Sequence, residues 1–403
     1  MKYHRSTVNA VVHTLRLIFV DGIIADKAIG TVLKQNSKWG SRDRNFIAET
    51  CYEMVRWRRL IEESLSEEDD NSIGHYYKLF ASWQIINGNG YPDWEEFNGI
   101  DKDKISENAN RLILIRKFRE SVPDWLDELG SNELGDTVWT RELSELNKTA
   151  KLVLRVNTLK ISVEKLQQKL LTHKIETSRL EDYPTALITN KRQNYTALEE
   201  YKQGLFEIQD ASSQLVAPFM KLEEGMTVID ACAGAGGKSL HIAAEMNNMG
   251  RIISMDLEDK KLIELNKRAA RAAATIIKSR LITDKEVEQL KNTADRLLLD
   301  VPCSGLGVLK RKPYDKWKLS LEYINDKKKI QHKILSDYSQ MLKPGGYLVY
   351  ATCSILPSEN QNQIETFLNN HKNEFEFIED RKVLPSEGFD GFYMARIKKS
   401  FTS

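Results

Sequence analysis

From about Gly204 onward, short apolar runs alternate strictly with amphipathic stretches, and few folds accept that order. The apolar runs are Val228-Ile229, Arg251 to Met255, Ser279 to Ile282, Arg296 to Asp300 and Tyr347 to Thr352. Helical spacing marks Lys238 to Met246, Lys260 to Ala273, Lys285 to Lys291, Leu321 to Met341 and Gln361 to Asn370. Unbroken apolar runs suit strands buried on both faces, and β–α alternation packs as a doubly wound parallel sheet. A final pair, Phe375 to Ile378 and Gly391 to Ile397, lies close enough in sequence to make an antiparallel edge. The expected fold class is α/β.

The remainder reads differently. Residues 1–140 carry apolar positions at helical spacing, such as Val8, Val11, Val12, Leu15 and Ile18, and again Phe46, Thr50 and Val55. The acidic stretch Glu62 to Asp70 reads as a solvated helix end and loop. Residues 150–203 read as a small α+β module. Leu152 to Asn157 is a strand, Val163 to His173 a helix, and short strands lie around Ser178 and Ala186-Leu187-Ile188-Thr189. With 403 residues, too many for one core, three domains are expected: 1–140, 150–203 and 204–403.

Composition narrows the function. A net charge of +1 means that any nucleic-acid affinity must come from local patches. Four scattered cysteines without a CxxC pair argue against a disulfide scaffold or zinc knuckle and fit a reducing compartment. The amino terminus, Met1-Lys2-Tyr3-His4-Arg5, leads into an amphipathic segment and not a signal-peptide core. No apolar run approaches the ~20 residues of a membrane helix. A cytoplasmic monomer without metal or membrane partners is expected.

Three of the four cysteines fall at carboxyl ends of expected parallel strands, the edge where open α/β sheets bind ligands. Cys51, on the apolar face of a helix, reads as a core residue. Cys232 opens Cys232-Ala233-Gly234-Ala235-Gly236-Gly237-Lys238, a glycine loop between strand and helix. A Walker loop would need glycine at position 232, and the spacing 234, 236, 237 does not make GxGxxG. The remaining reading is an S-adenosylmethionine site, where backbone meets adenosine and no phosphate needs a nest. Asp256, 18 residues after Lys238, ends the second strand. It suits either ribose hydroxyls or the N-cap of the helix near Asp259, and the preceding glycine loop favours ribose.

Cys303 and Cys353 precede irregular loops, Ser-Gly-Leu-Gly and Ser-Ile-Leu-Pro, so both thiols are expected at the surface of a site. Two such thiols suit methylation at carbon 5 of a pyrimidine. That carbon is not nucleophilic until a thiolate adds to carbon 6, and the thiolate must afterwards be expelled. Reaction logic does not rank the two cysteines.

The motifs Asp230-Ala-Cys-Ala-Gly-Ala-Gly-Gly-Lys238, Asp300-Val-Pro-Cys-Ser-Gly-Leu-Gly307 and Tyr350-Ala-Thr-Cys-Ser-Ile-Leu-Pro-Ser-Glu-Asn360 resemble signatures of the RsmB/Nop2/Sun RNA cytosine-5 methyltransferases. Arg155-Val-Asn-Thr-Leu-Lys160, Gln209-Asp-Ala-Ser-Ser213 and Asp390-Gly-Phe-Tyr393 extend the resemblance over residues 150–403. It implies a Rossmann-like class I methyltransferase sheet, S-adenosyl-L-methionine as cofactor and RNA as partner. It further implies that Cys353 attacks, that Cys303 assists elimination and release, and that Asp300 lies between cofactor and target base. The cofactor would follow the backbone of Cys232, Ala233, Gly234, Ala235, Gly236, Gly237 and Lys238, with Asp256 on the ribose and Lys238 held against Asp300 or Asp230. Two departures stand out. Gly234-Ala235 replaces the family's usual Ala-Pro, and Thr283-Asp284 straddles the position of the acid near the adenine, so Asp284 is the residue carried over there.

Between Lys310 and Lys333 there are nine Lys or Arg against three Asp or Glu, a cluster suited to phosphates beside a flipped base. Trp317 within it suits either base stacking or helix capping. The helical amino-terminal region, with Lys34, Lys38, Arg42, Arg44, Arg56, Arg58 and Arg59, is similar to a NusB-like RNA-binding domain. Those arginines equally suit ion pairs within the domain. Small-subunit (16S) ribosomal RNA is the implied target. Transfer RNA is the alternative substrate, and a non-catalytic ribosome assembly factor is the alternative class. Retention of Cys303, Cys353, Asp300 and Asp256 speaks against the latter.

Overall fold

A computed structural model describes residues 3–189 and 193–401; Met1 and Lys2, which begin the amphipathic terminus, lie outside them. The chain divides into two compact units. Unit 1 takes Met1–Asn147 and Arg311–Ser320, and unit 2 takes Lys148–Lys310 and Leu321–Ser403.

Unit 1 is helical. Helices Arg5–Phe19, Ala25–Gln35, Ser41–Arg56, Arg58–Leu65 and Ile73–Ile86 share one core, into which Val8, Val11, Val12, Leu15 and Ile18 point. Cys51 is buried in the same core. Helices Asp124–Leu134 and Asp136–Leu146 carry the unit past residue 140, meeting where Gly130 lies flat against Trp139; a Cβ there would be 2.1 Å from the indole. The segment Arg311–Ser320 completes the unit. Tyr314 enters the core, its hydroxyl 3.3 Å from the Ile18 carbonyl, and the Trp317 indole donates to the Val55 carbonyl at 2.7 Å. Trp317 is thereby a packing residue and not a stacking platform.

The unit also consumes most of its arginines. Arg44 donates to the Trp39 carbonyl, Arg56 pairs with Glu53, Arg58 with Glu62 and Arg59 with Asp124. Lys34, Lys38 and Arg42 stay exposed.

Unit 2 holds two sheets. In the smaller one, β1 (Leu152–Val156), β2 (Ser178–Leu180), β3 (Tyr183–Thr189) and β4 (Phe206–Ile208) pair antiparallel in the order β2-β3-β1-β4. Helix Val163–Thr172 packs on it through Leu166 and Leu170, against Leu154, Leu187 and Phe206. The module thus runs past residue 203, because β4 pairs with β1 (Val156 opposite Phe206).

The larger sheet has β5 (Thr227–Asp230), β6 (Arg251–Asp256), β7 (Ile277–Leu281), β8 (Ala294–Asp300), β9 (Leu342–Thr352), β10 (Phe375–Val383) and β11 (Phe392–Lys399), ordered β10-β11-β9-β8-β5-β6-β7. β5 to β9 are parallel, and β11 runs antiparallel between β9 and β10. Helices Gly237–Glu245, Asp259–Ala272, Asp284–Gln289, Leu321–Tyr338 and Gln361–Asn370 connect the strands close to their expected positions. The chain proceeds outward from β5 to β7, then returns to the other side of β5 for β8. That reversal opens a crevice at the carboxyl ends of β5 and β8. Among the described residues, no helix is long and apolar enough to cross a membrane.

Candidate active site

The crevice begins with the loop after β5. Gly234 (φ 54°) and Gly236 (φ 83°) adopt the left-handed conformation that glycine reaches at little cost. Their surroundings differ. A Cβ on Gly236 would lie 2.6 Å from Leu265, so this glycine lets the loop press against helix Asp259–Ala272; one on Gly234 would meet nothing within 4 Å. The loop carbonyls are held from behind. Arg268 donates to Ala235 O at 2.8 Å, and the buried Arg155 of β1 donates to Gly237 O at 2.6 Å. Glu207 on β4 in turn pairs with Arg268 and Arg271. Residues of the small sheet therefore brace the glycine loop, a job that the Arg155 motif and the unremarked Glu207 share.

Asp256 accepts from the Gly234 amide at 2.9 Å and from the Glu258 amide at 3.0 Å. Glu258 is the N-cap of the next helix, so Asp256 closes a turn and does not cap it. It lines a cavity of about 390 Å³ together with Cys232, Gly234 and Asp300. Ile282, Ile330, Ile334 and Tyr338 supply apolar walls. An apolar slot with the carboxylates Asp256 and Asp300 suits an uncharged adenosine with its ribose and a cationic sulfonium, so these residues fit S-adenosylmethionine. Ala233, Ala235, Gly236 and Gly237 form the loop behind the cavity without lining it. Asp284 does not line it either: it is exposed in the first turn of helix Asp284–Gln289, whose N-cap is Thr283. At the end of β7 the cavity wall is Ile282.

Lys238 follows the loop and meets Asp300, at the end of β8, at 2.6 Å. Burial works against the ammonium, but Asp300, with Cys353 and Asp230 nearby, holds the Lys238 pKa above the ordinary lysine value. The ammonium also lies 5.2 Å from the centre of the Phe392 ring, which brings in the last motif. Asp230 is not the lysine's partner. It accepts from Ser239 at 2.6 Å, and burial, with Asp300 nearby, pushes its carboxyl up to about 7. Cys232 is likewise driven far above a normal thiol, by burial and then by the surrounding acids.

Strand register brings the other two cysteines together. Asp300 of β8 sits opposite Ala351 of β9, so Cys303 and Cys353 leave adjacent strands just beyond that pair. Their sulfurs are 3.2 Å apart. The Cys303 thiol is raised well above normal, chiefly by its hydrogen bond to Cys353 and then by burial. The turn after Cys303 depends on close backbone approach. Gly307 N donates to Cys353 O at 2.9 Å and Gly391 N to Gly307 O at 2.8 Å. A Cβ on Gly307 would fall 2.1 Å from Gly391 O. Ser212 donates to Asp390 O at 2.7 Å, so the motifs around 209–213, 303–307, 353 and 390–393 meet in one place.

The basic cluster divides. Lys310 is buried with its ammonium on Pro385 O, and Lys316 is buried against Asn147. Lys329 and Lys333 pair with Asp326 and Asp337. Lys327 lines the cavity.

The sheet order, the switch-point cavity and its carboxylates define an S-adenosylmethionine-dependent methyltransferase. Comparisons agree. The family described as "16S rRNA methyltransferase RsmB/F" matches residues 217–398, and a "Methyltr_RsmF/B-like, ferredoxin-like domain" matches residues 122–196. A Synechocystis protein named "Probable ribosomal RNA small subunit methyltransferase B" is 33% identical, over 89% of this chain and 92% of that protein. The structure titled PH0851 has a TM-score of 0.83 at 22% identity, covering 99% of this chain and 100% of that one. NSun6 from Pyrococcus horikoshii, solved with the S-adenosylmethionine analogue SFG, has a TM-score of 0.65 at 20% identity, covering 70% of this chain and 100% of that one. The chain belongs to the RsmB/F family of small-subunit ribosomal RNA methyltransferases, and its cofactor is S-adenosylmethionine.

Proposed function

We propose that the protein methylates carbon 5 of a cytosine in small-subunit (16S) ribosomal RNA through a covalent bond between Cys353 and carbon 6. The observation that carries this reading is the pair of sulfurs, 3.2 Å apart just beyond the strand ends where Lys238 pairs with the cavity-lining Asp300. The hydrogen bond to Cys353 and burial raise the Cys303 thiol, which suits Cys303 to assist and not to attack. Bond formation between Cys353 Sγ and carbon 6 pushes an electron pair toward carbon 5. S-adenosylmethionine, when bound, supplies the electrophilic methyl group. The Asp300 carboxylate, oriented by Lys238, would accept a hydrogen bond from the cytosine amino group. A solvent water then takes the carbon 5 proton, and the freed electron pair restores the carbon 5–carbon 6 double bond. The bond between carbon 6 and sulfur breaks with its pair on Cys353, and Cys303 would assist by donating its S–H to the departing thiolate.

Cys232, Gly234 and Asp256 would hold the cofactor, with Asp256 toward the ribose. The helical unit is read as a NusB-like RNA-binding domain, with Lys34, Lys38 and Arg42 among its exposed cations. The enzyme would act in the cytoplasm. The test combines bisulfite sequencing of 16S ribosomal RNA from a deletion strain with adduct trapping. One cytosine mark should disappear. Cys303→Ala should accumulate a protein–RNA adduct that survives denaturing gels, and Cys353→Ala should form none. Loss of no mark refutes the activity, and the reverse adduct pattern refutes the assigned roles.

A further inference from the structure

Glu359 lies inside the Thr352-Cys353-Ser354 to Asn360 motif, and nothing in the chemistry above uses it. Its carboxylate is fully buried. Among the described residues, no Lys, Arg or His forms an ion pair with it. Hydrogen bonds hold it instead, and they come from both cysteine loops. Oε1 accepts the Ser304 amide at 2.8 Å and the Gln331 amide at 3.0 Å. Oε2 accepts the hydroxyls of Ser304 and Ser354. Ser304 follows Cys303 and Ser354 follows Cys353, so one carboxylate ties the residues next to both sulfurs. The surroundings reinforce the tie: Gln331 also donates to Pro302 O at 3.0 Å, and Tyr350 donates to Glu359 O at 2.7 Å. Asn360 bonds Ser354 O at 3.0 Å.

Burying a carboxylate is costly unless its oxygens are fully hydrogen-bonded. A neutral side chain would make the same packing without that cost. What the carboxylate provides is acceptor capacity at both oxygens, which an amide cannot match: its nitrogen donates where Oε2 must accept from two hydroxyls. We infer that Glu359 is a positioning residue that sets the spacing of the Cys303 and Cys353 sulfurs by bracing Ser304 and Ser354. Its catalytic consequence rests on the two-cysteine reading above, but its geometric consequence does not.

The test measures both. Diamide oxidation of the full-length protein converts the two thiols to a Cys303–Cys353 disulfide while the azo bond is reduced to the hydrazine. Its rate, followed by mass spectrometry of the linked peptides, reports sulfur spacing without reference to methylation. Glu359→Gln should slow this oxidation at least tenfold. It should also lower kcat by a similar factor, with KM for RNA and for the methyl donor within twofold of the parent. The paired change Ser304→Ala and Ser354→Ala keeps the carboxylate but cuts both hydroxyl links, so it should give the same two effects even if Glu359→Gln fails to fold. In that serine background Glu359→Gln should have little further effect. Unchanged disulfide formation in both variants overturns the inference, whether or not kcat falls. Slowed disulfide formation in a protein whose parent methylates no cytosine upholds the positioning role and refutes the proposed activity.

Discussion

Asp230→Asn should change how stability depends on pH, and the structure fixes both sign and size. Asp230 ends β5 directly before the glycine loop, 1% exposed, with its carboxyl pushed from an ordinary 3.8 to about 7 by burial, partly countered by Ser239. Between those values the folded protein binds this proton more tightly than the unfolded chain does. Stability therefore falls as pH rises through the interval, by about 1.4 kcal/mol per unit, and levels off above pH 7. The full loss is roughly 4 kcal/mol. Asparagine keeps the shape and an acceptor for Ser239 but cannot ionise. Whatever fixed cost its amide nitrogen adds, the difference in stability between variant and parent should move in the variant's favour by roughly 4 kcal/mol between pH 4 and pH 8. The assay is urea unfolding at several pH values, read by circular dichroism. All seven tryptophans lie in unit 1, so indole emission recorded alongside identifies the transition that belongs to that unit. A difference that is the same at pH 4 and pH 8 would refute the argument, because it would mean that Asp230 ionises in the folded protein as it does in water.

Gly236→Ala should cost about 1–3 kcal/mol, from the left-handed backbone and the clash with Leu265, and weaken cofactor binding. Gly237→Ala, with no heavy atom nearer than 4.0 Å, should leave the melting temperature within two degrees or so of the parent by calorimetry. Glu207→Gln leaves Arg268 and Arg271 without their buried carboxylate and should cost about 3 kcal/mol in urea unfolding. Because Arg268 also fixes Ala235 O, it should weaken donor binding measured by titration calorimetry.

The parts of the fold legible in the sequence are those that local pattern controls. Helix Gln361–Asn370 falls on its expected residues, and β8 ends at Asp300 as its apolar run does. The meeting of Cys303 and Cys353 follows from strand ends on neighbouring strands, although the motif resemblance was needed to rank them. β4 escaped because three residues carry too little periodicity, and only pairing with β1 makes Phe206–Ile208 a strand. Asp284 was carried over by position along the chain. β7 instead ends at Leu281 and Thr283 caps a helix, so the acid points to solvent while Ile282 takes the wall. The far wall had a signal: Ile330, Ile334 and Tyr338 recur every four residues on one helix face. Nothing in their spacing says what that face covers. The basic cluster misled because charge density does not reveal burial, and Lys310 and Lys316 are interior groups.

The placement of Arg311–Ser320 has a consequence for how the chain is made. Tyr314 and Trp317 complete the helical unit, yet Ser320 lies 173 residues beyond Asn147. On a ribosome adding roughly 5–20 residues per second, the amino-terminal segment must wait about nine to thirty-five seconds for its last piece. During that interval the neighbours of Ile18 and Val55 lack their aromatic cover. The usual order of synthesis, in which the first domain closes before the next is made, is unavailable to this protein. For the same reason, a fragment ending at Asn147 is an unfinished unit rather than an independent domain.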